Sequence, residues 1–176
     1  YRERIVRNRA GFVWAGAVHE AITPRGRIVY SDIAITHDKV GQGDPDRNLR
    51  IYERQLAQGV ALDLRGQFYY GRELYYHARY QDAIRVLEGF LTDPHGYLEN
   101  QIEACRVLGW CYRALDDREG ALRSLLASLQ FDTPRAEVCC DIGQVLMDMG
   151  RYRQAIFWYE TALARPRNDN SGAFVL

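Results

Sequence analysis

The sequence predicts a mainly α-helical protein: an array of about three helix pairs, preceded by a short β-rich segment. Three observations carry that prediction. One pattern recurs three times in the second half, as "YYGRELYYHARYQDAIRVLEGFL", "VLGWCYRALDDREGALRSLLASL" and "DIGQVLMDMGRYRQAIFWYETAL". Within it a glycine recurs at Gly71, Gly109 and Gly143 and an alanine at Ala83, Ala121 and Ala155, with offsets of 38 and 34 residues in both series. The first 45 residues, by contrast, are rich in Val, Ile, Tyr and Trp and are punctuated by turn residues.

Taken in chain order, "GFVWAGAVHEAI" and "RIVYSDIAITH" read as two strands joined by "TPRG". An isolated hairpin is marginal in water, so two strands need a further layer to pack on. "GQGDPDRNLRIYERQLAQG" then changes period. Leu49, Tyr52 and Leu56 recur at helical spacing behind Asp46 as N-cap, which predicts a linking helix within residues 46–63.

The repeats follow over residues 64–166. Gly and the Ala twelve residues later mark where two antiparallel helices come too close for larger side chains, and Leu87, Leu125 and Tyr159 follow the alanines by four. Pro94, Pro134 and Pro166 end the units, and the four extra residues of the first offset fall around "HGYLEN". Residues 167–176 read as a truncated tail. With Tyr in first position, they suggest a fragment of a longer protein.

Composition narrows the function classes. An apolar content of 47% suffices for a packed core, and 23 basic residues against 23 acidic ones leave no overall field to recruit nucleic acid or anionic lipid. No apolar run reaches the roughly 20 residues of a membrane span, and the start lacks the apolar core of a signal peptide, so a cytoplasmic location is expected. Cys105, Cys111, Cys139 and Cys140 lie in helical segments in apolar company without C-x2-C spacing, which suits reduced core thiols better than a zinc site.

The three copies resemble tetratricopeptide repeats. That resemblance implies a binding scaffold whose first helices line a concave face. On the family's register the face would show Arg65, Phe68, Arg72, Tyr75, Tyr76, Glu103, Arg106, Trp110, Arg113, Glu137, Gln144 and Asp148. Arginines interleaved with aromatics suit an acidic or extended peptide or protein segment, through carboxylate contacts and stacking. The Lys/Asn clamp that some such repeats use for C-terminal carboxylates is not matched.

A second resemblance covers nearly the whole chain. "RIVRNRAGFVWAGAVHEAI", "DIAITH", "DRNLRIYERQL" and "FYYGRELYYHARYQDAI" are similar, in that order, to bacterial family 2 glycosyltransferases that carry tetratricopeptide repeats after their catalytic domain. It implies that residues 1–45 are the C-terminal remnant of an α/β GT-A domain, and that the full-length protein is an inverting glycosyltransferase acting on a nucleotide-sugar donor and an unknown acceptor. Glu20 matches the position of the general base. His37 matches a histidine that helps bind the divalent metal (Mg or Mn) or the diphosphate. A base facing the acceptor hydroxyl and a cation at the departing diphosphate are what inverting transfer requires.

Departures accompany the matches. The family's metal-binding Asp-x-Asp at a strand end is missing, and "DPD" at 44–46 reads as a turn and cap instead. Glu stands where Asp is commoner. The fragment alone is therefore expected to be inactive. The competing expectation is a non-enzymatic tetratricopeptide interaction module, in which the repeats bind a protein or peptide and the N-terminal strands only cap the array.

Overall fold

The computed structural model describes residues 5–23, 25–30, 36 and 43–165. The chain divides into two compact units, Tyr1–Leu62 and Asp63–Leu176.

In the first unit, β1 (Trp14–Ala15) pairs antiparallel with β2 (Ala21–Ile22), Trp14 opposite Ile22 and Ala15 opposite Ala21. Both strands lie inside the stretch expected to form one long strand. That stretch folds back on itself because Gly16 (φ +96°) and His19 (φ +54°) take left-handed conformations that no strand accommodates. Val18 and Ile22 are buried, whereas Val13, Trp14, Ile28, Val29 and Tyr30 are exposed. Residues 27–30 of the expected second strand carry no strand pairing, and residues 31–35 and 37 lie outside the described residues.

Helix α1 (Arg47–Ala57) buries Leu49 and Tyr52, while Leu56 stays 40% exposed. Asp46 occupies the N-cap position but makes no side-chain cap bond. Asp44 organises this end of the helix from two residues earlier. Its carboxylate accepts the Asp46 backbone N–H at 3.1 Å and pairs with Arg50, so the "DPD" stretch is a local turn.

The second unit contains three helix pairs: α2 (Leu64–Tyr76) with α3 (Tyr80–Leu91), α4 (Leu98–Ala114) with α5 (Arg118–Ala127), and α6 (Ala136–Asp148) with α7 (Tyr152–Leu163). A single 3₁₀ turn, Ser128–Gln130, extends α5. Helix α4 has 17 residues where α2 and α6 have 13. The four residues that lengthen the first repeat offset are thus one additional helical turn at the start of α4.

Each pair is closed by the same turn. Arg79, Asp117 and Arg151 donate their backbone N–H to Leu74, Tyr112 and Leu146, at 2.9 Å in every case. The residue before each donor, Ala78, Asp116 or Gly150, is left-handed. This six-to-one bond with a left-handed residue is the Schellman closure of a helix.

The glycine–alanine pattern lies at the centre of each pair. Ala83, Ala121 and Ala155 are fully buried. A Cβ placed on Gly71 would lie 2.5 Å from Leu87, on Gly109 2.7 Å from Leu125, and on Gly143 2.8 Å from Tyr159, so a larger residue would hold the helices apart. The core continues from the second repeat into the third, where Ile102, Leu122, Leu125, Val138, Ile142, Val145 and Leu146 belong to one cluster. Cys105, Cys111 and Cys139 are buried free thiols, but Cys140 is exposed, contrary to the expected core role.

Helices α2, α4 and α6 pack on one another in series, and each second helix packs on the first helix of the next pair. Comparable packing does not join α3 to α5 or α5 to α7 among the described residues. The first helices therefore form the inner side of this unit.

Candidate functional site

A helix advances 100° per residue, so positions three, four and seven apart share a face, and on α2 this brings Arg65, Arg72 and Tyr76 toward the inner side. Phe68, expected on that face, is fully buried instead; it stacks on Phe90 of α3 with ring centroids 5.8 Å apart. Its aromatic bulk fills the space between the two helices. The Arg72 guanidinium lies 5.6 Å from the Phe68 ring and 5.6 Å from the Tyr76 ring, and donates to the Tyr76 hydroxyl at 2.8 Å. Arg65 lies 5.5 Å from the Tyr69 ring. These two arginines rest on aromatic faces, where the ring quadrupole attracts the cation.

On α4 the arginines behave differently. Arg106 stacks 4.9 Å from the Trp110 ring while donating to Glu103 at 2.9 Å and to Asp141 of α6 at 2.8 Å. Arg113 donates to Asp148 at 2.5 Å, and Gln144 donates to the same carboxylate at 3.0 Å. A third link joins Arg135, at the N-cap of α6, to both carboxylate oxygens of Glu99. Glu99, Arg106 and Arg113 are spaced by seven residues along α4, and their partners lie 36, 35 and 35 residues away. Seven residues are two helical turns, so α4 and α6 are joined by a regular ladder of ion pairs along their facing sides.

Burial and charge set the titration of these groups. Burial pushes the Glu103 carboxyl above its ordinary value, against the pull of Arg106 and Arg72. The hydrogen bond from Arg113 holds Asp148 below the usual carboxylate range. Burial raises the Tyr75 hydroxyl and pushes the Cys105 and Cys111 thiols up to about 12.

At the turn end of the helices the face opens into a cleft of about 720 Å³, lined by Tyr75, Tyr80, Trp110, Arg113, Ala114, Asp116, Arg118 and Asp148. Tyr75 packs between Trp110, at 5.6 Å between centroids, and Tyr80, at 6.0 Å. Aromatic rings thus form part of the lining, and the Arg113–Asp148 and Arg118–Asp116 pairs the rest. Asp141, Tyr80 and the Asp116–Arg118 pair were not among the expected face residues; the seven-residue spacing of charges on α4 is the sequence signal that points to Asp141.

Of the two residues matched to a transferase site, Glu20 is exposed and directly precedes β2. His37 lies outside the described residues. Among the described residues no group of three or more His, Cys, Asp or Glu side chains is arranged to hold a metal ion. No described helix is long and apolar enough to cross a membrane.

This fold is a helical repeat array of the tetratricopeptide type. Residues 136–169, the third repeat, match the tetratricopeptide repeat family. No curated protein matches the chain. Among solved structures it is similar to MamA of MSR-1, at 18% identity and a TM-score of 0.58 over 67% of this chain and 65% of that one. MamA of AMB-1 is 20% identical with a TM-score of 0.57, covering 66% of both chains. Pseudomonas aeruginosa PilF is 22% identical with a TM-score of 0.56, covering 68% of this chain and 53% of PilF. This chain therefore spans less than two thirds of the length of these proteins, and at such identities the likeness is one of fold. Neither the family match nor these structures support the transferase resemblance.

Proposed function

We propose that the repeat unit is a protein interaction scaffold that holds an extended peptide segment along α2, α4 and α6. The aromatic-lined cleft of Tyr75, Tyr80 and Trp110, at the end of a row of arginines, is the observation that supports this reading. A peptide side chain entering the cleft would bury apolar area against the exposed parts of these rings. Arg65 and Arg72 supply guanidinium groups at the first repeat. Arg106 and Arg113 are already engaged by Asp141 and Asp148, so they orient the face rather than attract an acidic partner. Four arginines on the face are matched by Glu103, Glu137, Asp141 and Asp148, and affinity should therefore depend only weakly on salt.

Panning a random peptide display library against the purified chain, then measuring binding of a recovered peptide by anisotropy, tests this. Trp110→Ala and Tyr75→Ala should each weaken binding about tenfold or more, as removal of a buried aromatic anchor does. Peptides that bind both variants as they bind the parent chain would refute the assignment.

A sugar-transferase role for the full-length protein, with a nucleotide sugar and a divalent metal, rests on the ordered sequence likeness alone. Glu20→Gln and His37→Ala in the full-length protein test it through nucleotide-sugar hydrolysis and transfer. Undiminished activity in both removes these residues from the site.

A further inference from the structure

The ion-pair ladder between α4 and α6 is not repeated at the equivalent positions between α2 and α4. One repeat earlier, at the offsets of 34 and 38 residues, Arg113–Asp148 becomes Tyr75 and Ala114, and Arg106–Asp141 becomes Phe68 and Val107. Rings and short apolar side chains thus stand where the next junction has charged cross-links. Tyr75 and Ala114 both line the cleft, so the missing pair is part of what leaves it open.

Arg72 lies at this junction and differs from the half-buried arginines of the next one. Arg106 and Arg135 each meet two carboxylates. Arg72 is also half-buried, yet it forms no ion pair among the described residues; Glu103, which feels its charge, accepts from Arg106 instead. A guanidinium carries five N–H donors. Among the described residues the Tyr76 hydroxyl, at 2.8 Å, is the one acceptor for those of Arg72, and its Nε is buried without a partner. The rings of Phe68, Tyr69 and Tyr76, at 5.6, 5.8 and 5.6 Å, hold the group in place, so little rotamer freedom is left to lose when it meets an anion.

This cation adjoins the cleft. Tyr76, its hydrogen-bond partner, packs on Tyr75 with ring centroids 5.6 Å apart, and Tyr75 packs on Trp110 at 5.6 Å. Arg72 and Tyr75 are three residues apart on α2, a rise of about 4.5 Å. Side chains on one face of an extended peptide recur every second residue, at about 6.7 Å, and that single step is the nearest spacing available. We propose that the partner carries an acidic side chain, Asp or Glu, two residues from an apolar one: the carboxylate pairs with the Arg72 fork, and the apolar group enters the cleft at Tyr75 and Trp110. This rests on the peptide-binding reading and adds a recognition motif to it.

Heptapeptide libraries capped at both ends test the motif on the 176-residue chain. Trp is fixed at the centre and Asp, Asn or Lys two residues before or after it, which covers both chain directions. In one direction the Asp library should bind about tenfold or more tightly than the Asn and Lys libraries, a comparison that needs no variant of the protein. By anisotropy, Arg72→Gln should weaken the best Asp peptide about tenfold but its Asn analogue less than about threefold, and Arg72→Glu should shift the preference to Lys. Far-UV circular dichroism checks that both variants stay folded. Peptides that need Trp110 but show no preference for Asp, or an Asp peptide that binds Arg72→Gln as it binds the parent chain, would overturn the motif and leave the peptide-binding reading standing. An Asn analogue that regains the affinity through an uncapped C-terminus would assign the anion to a chain end and overturn the internal motif. Libraries with no peptide sensitive to Trp110→Ala would overturn both readings.

Discussion

Adding one methyl group at Gly109 tests the packing argument with a result whose sign is not obvious in advance. In an unconstrained helix, Gly→Ala stabilises by about 1 kcal/mol, because glycine loses more backbone freedom. At Gly109 the new Cβ would lie 2.7 Å from Leu125 Cγ, 2.9 Å from Cδ2 and 3.3 Å from Cδ1. Leu125 is fully buried and cannot swing away, so α4 and α5 must separate. Overpacking of that kind costs about 1–3 kcal/mol, which outweighs the propensity gain, and Gly109→Ala should destabilise by about 1–2 kcal/mol. Gly89 provides the opposite case: it is exposed on α3 with nothing within 4 Å of an added Cβ, so Gly89→Ala should stabilise by up to about 1 kcal/mol. Urea titration followed by far-UV circular dichroism measures both through the midpoint at constant m. Leu125→Ala alone should lose about 2–5 kcal/mol. In the double variant Gly109→Ala, Leu125→Ala the clash is gone, so the loss should be smaller than the sum of the two singles by about 1–3 kcal/mol. A stabilised Gly109→Ala, or strict additivity in the double variant, would refute the close-approach explanation of the repeat glycines.

Further outcomes follow from the turns, the thiols and the ladder. Ala78 is left-handed where Gly150 stands in the third repeat, so Ala78→Gly should raise the urea midpoint, by about 1 kcal/mol of stability, and an unchanged midpoint would count against strain there. A thiol reagent at mildly alkaline pH should label Cys140 rapidly in the native chain while Cys105 and Cys111, buried and pushed up to about 12, react only after unfolding; mass spectrometry of labelled peptides reads this directly. The pH profile of stability should have two opposed limbs. Asp148 titrates in the folded chain below its ordinary value of 3.8, so its contribution is complete above that pH and is lost as pH falls through the folded value; Asp148→Asn should flatten that limb. Glu103 titrates in the folded chain above its ordinary 4.5, so the native state holds its proton more tightly and stability declines as pH rises from 4.5 through the folded value; Glu103→Gln should flatten this second limb.

Much of the repeat unit could be read from the residues because its period encodes nearest-neighbour geometry. Gly71, Gly109 and Gly143 with their alanines located the close approaches, and the four extra residues became a turn of α4. The N-terminal segment was less legible. Its Val, Ile and Trp content reports a preference for extended backbone, but Gly16 and His19 reverse the chain within that stretch, and composition does not register a reversal. The face residues divided in the same way. The register of the resembled repeats put Arg72, Tyr75, Tyr76, Arg106, Trp110 and Arg113 on the first helices, yet it gave no indication that Phe68 turns inward or that Arg106 and Arg113 are held by the next repeat.

The sequence by itself determined the number of helix pairs and the small residues at their crossings, since these depend on local preference and on contacts repeated at one period. Only the tertiary structure decided which carboxylate each arginine meets and where the aromatic cleft opens. Those outcomes depend on the stagger between neighbouring helices. That quantity is not carried by the residues of a single helix.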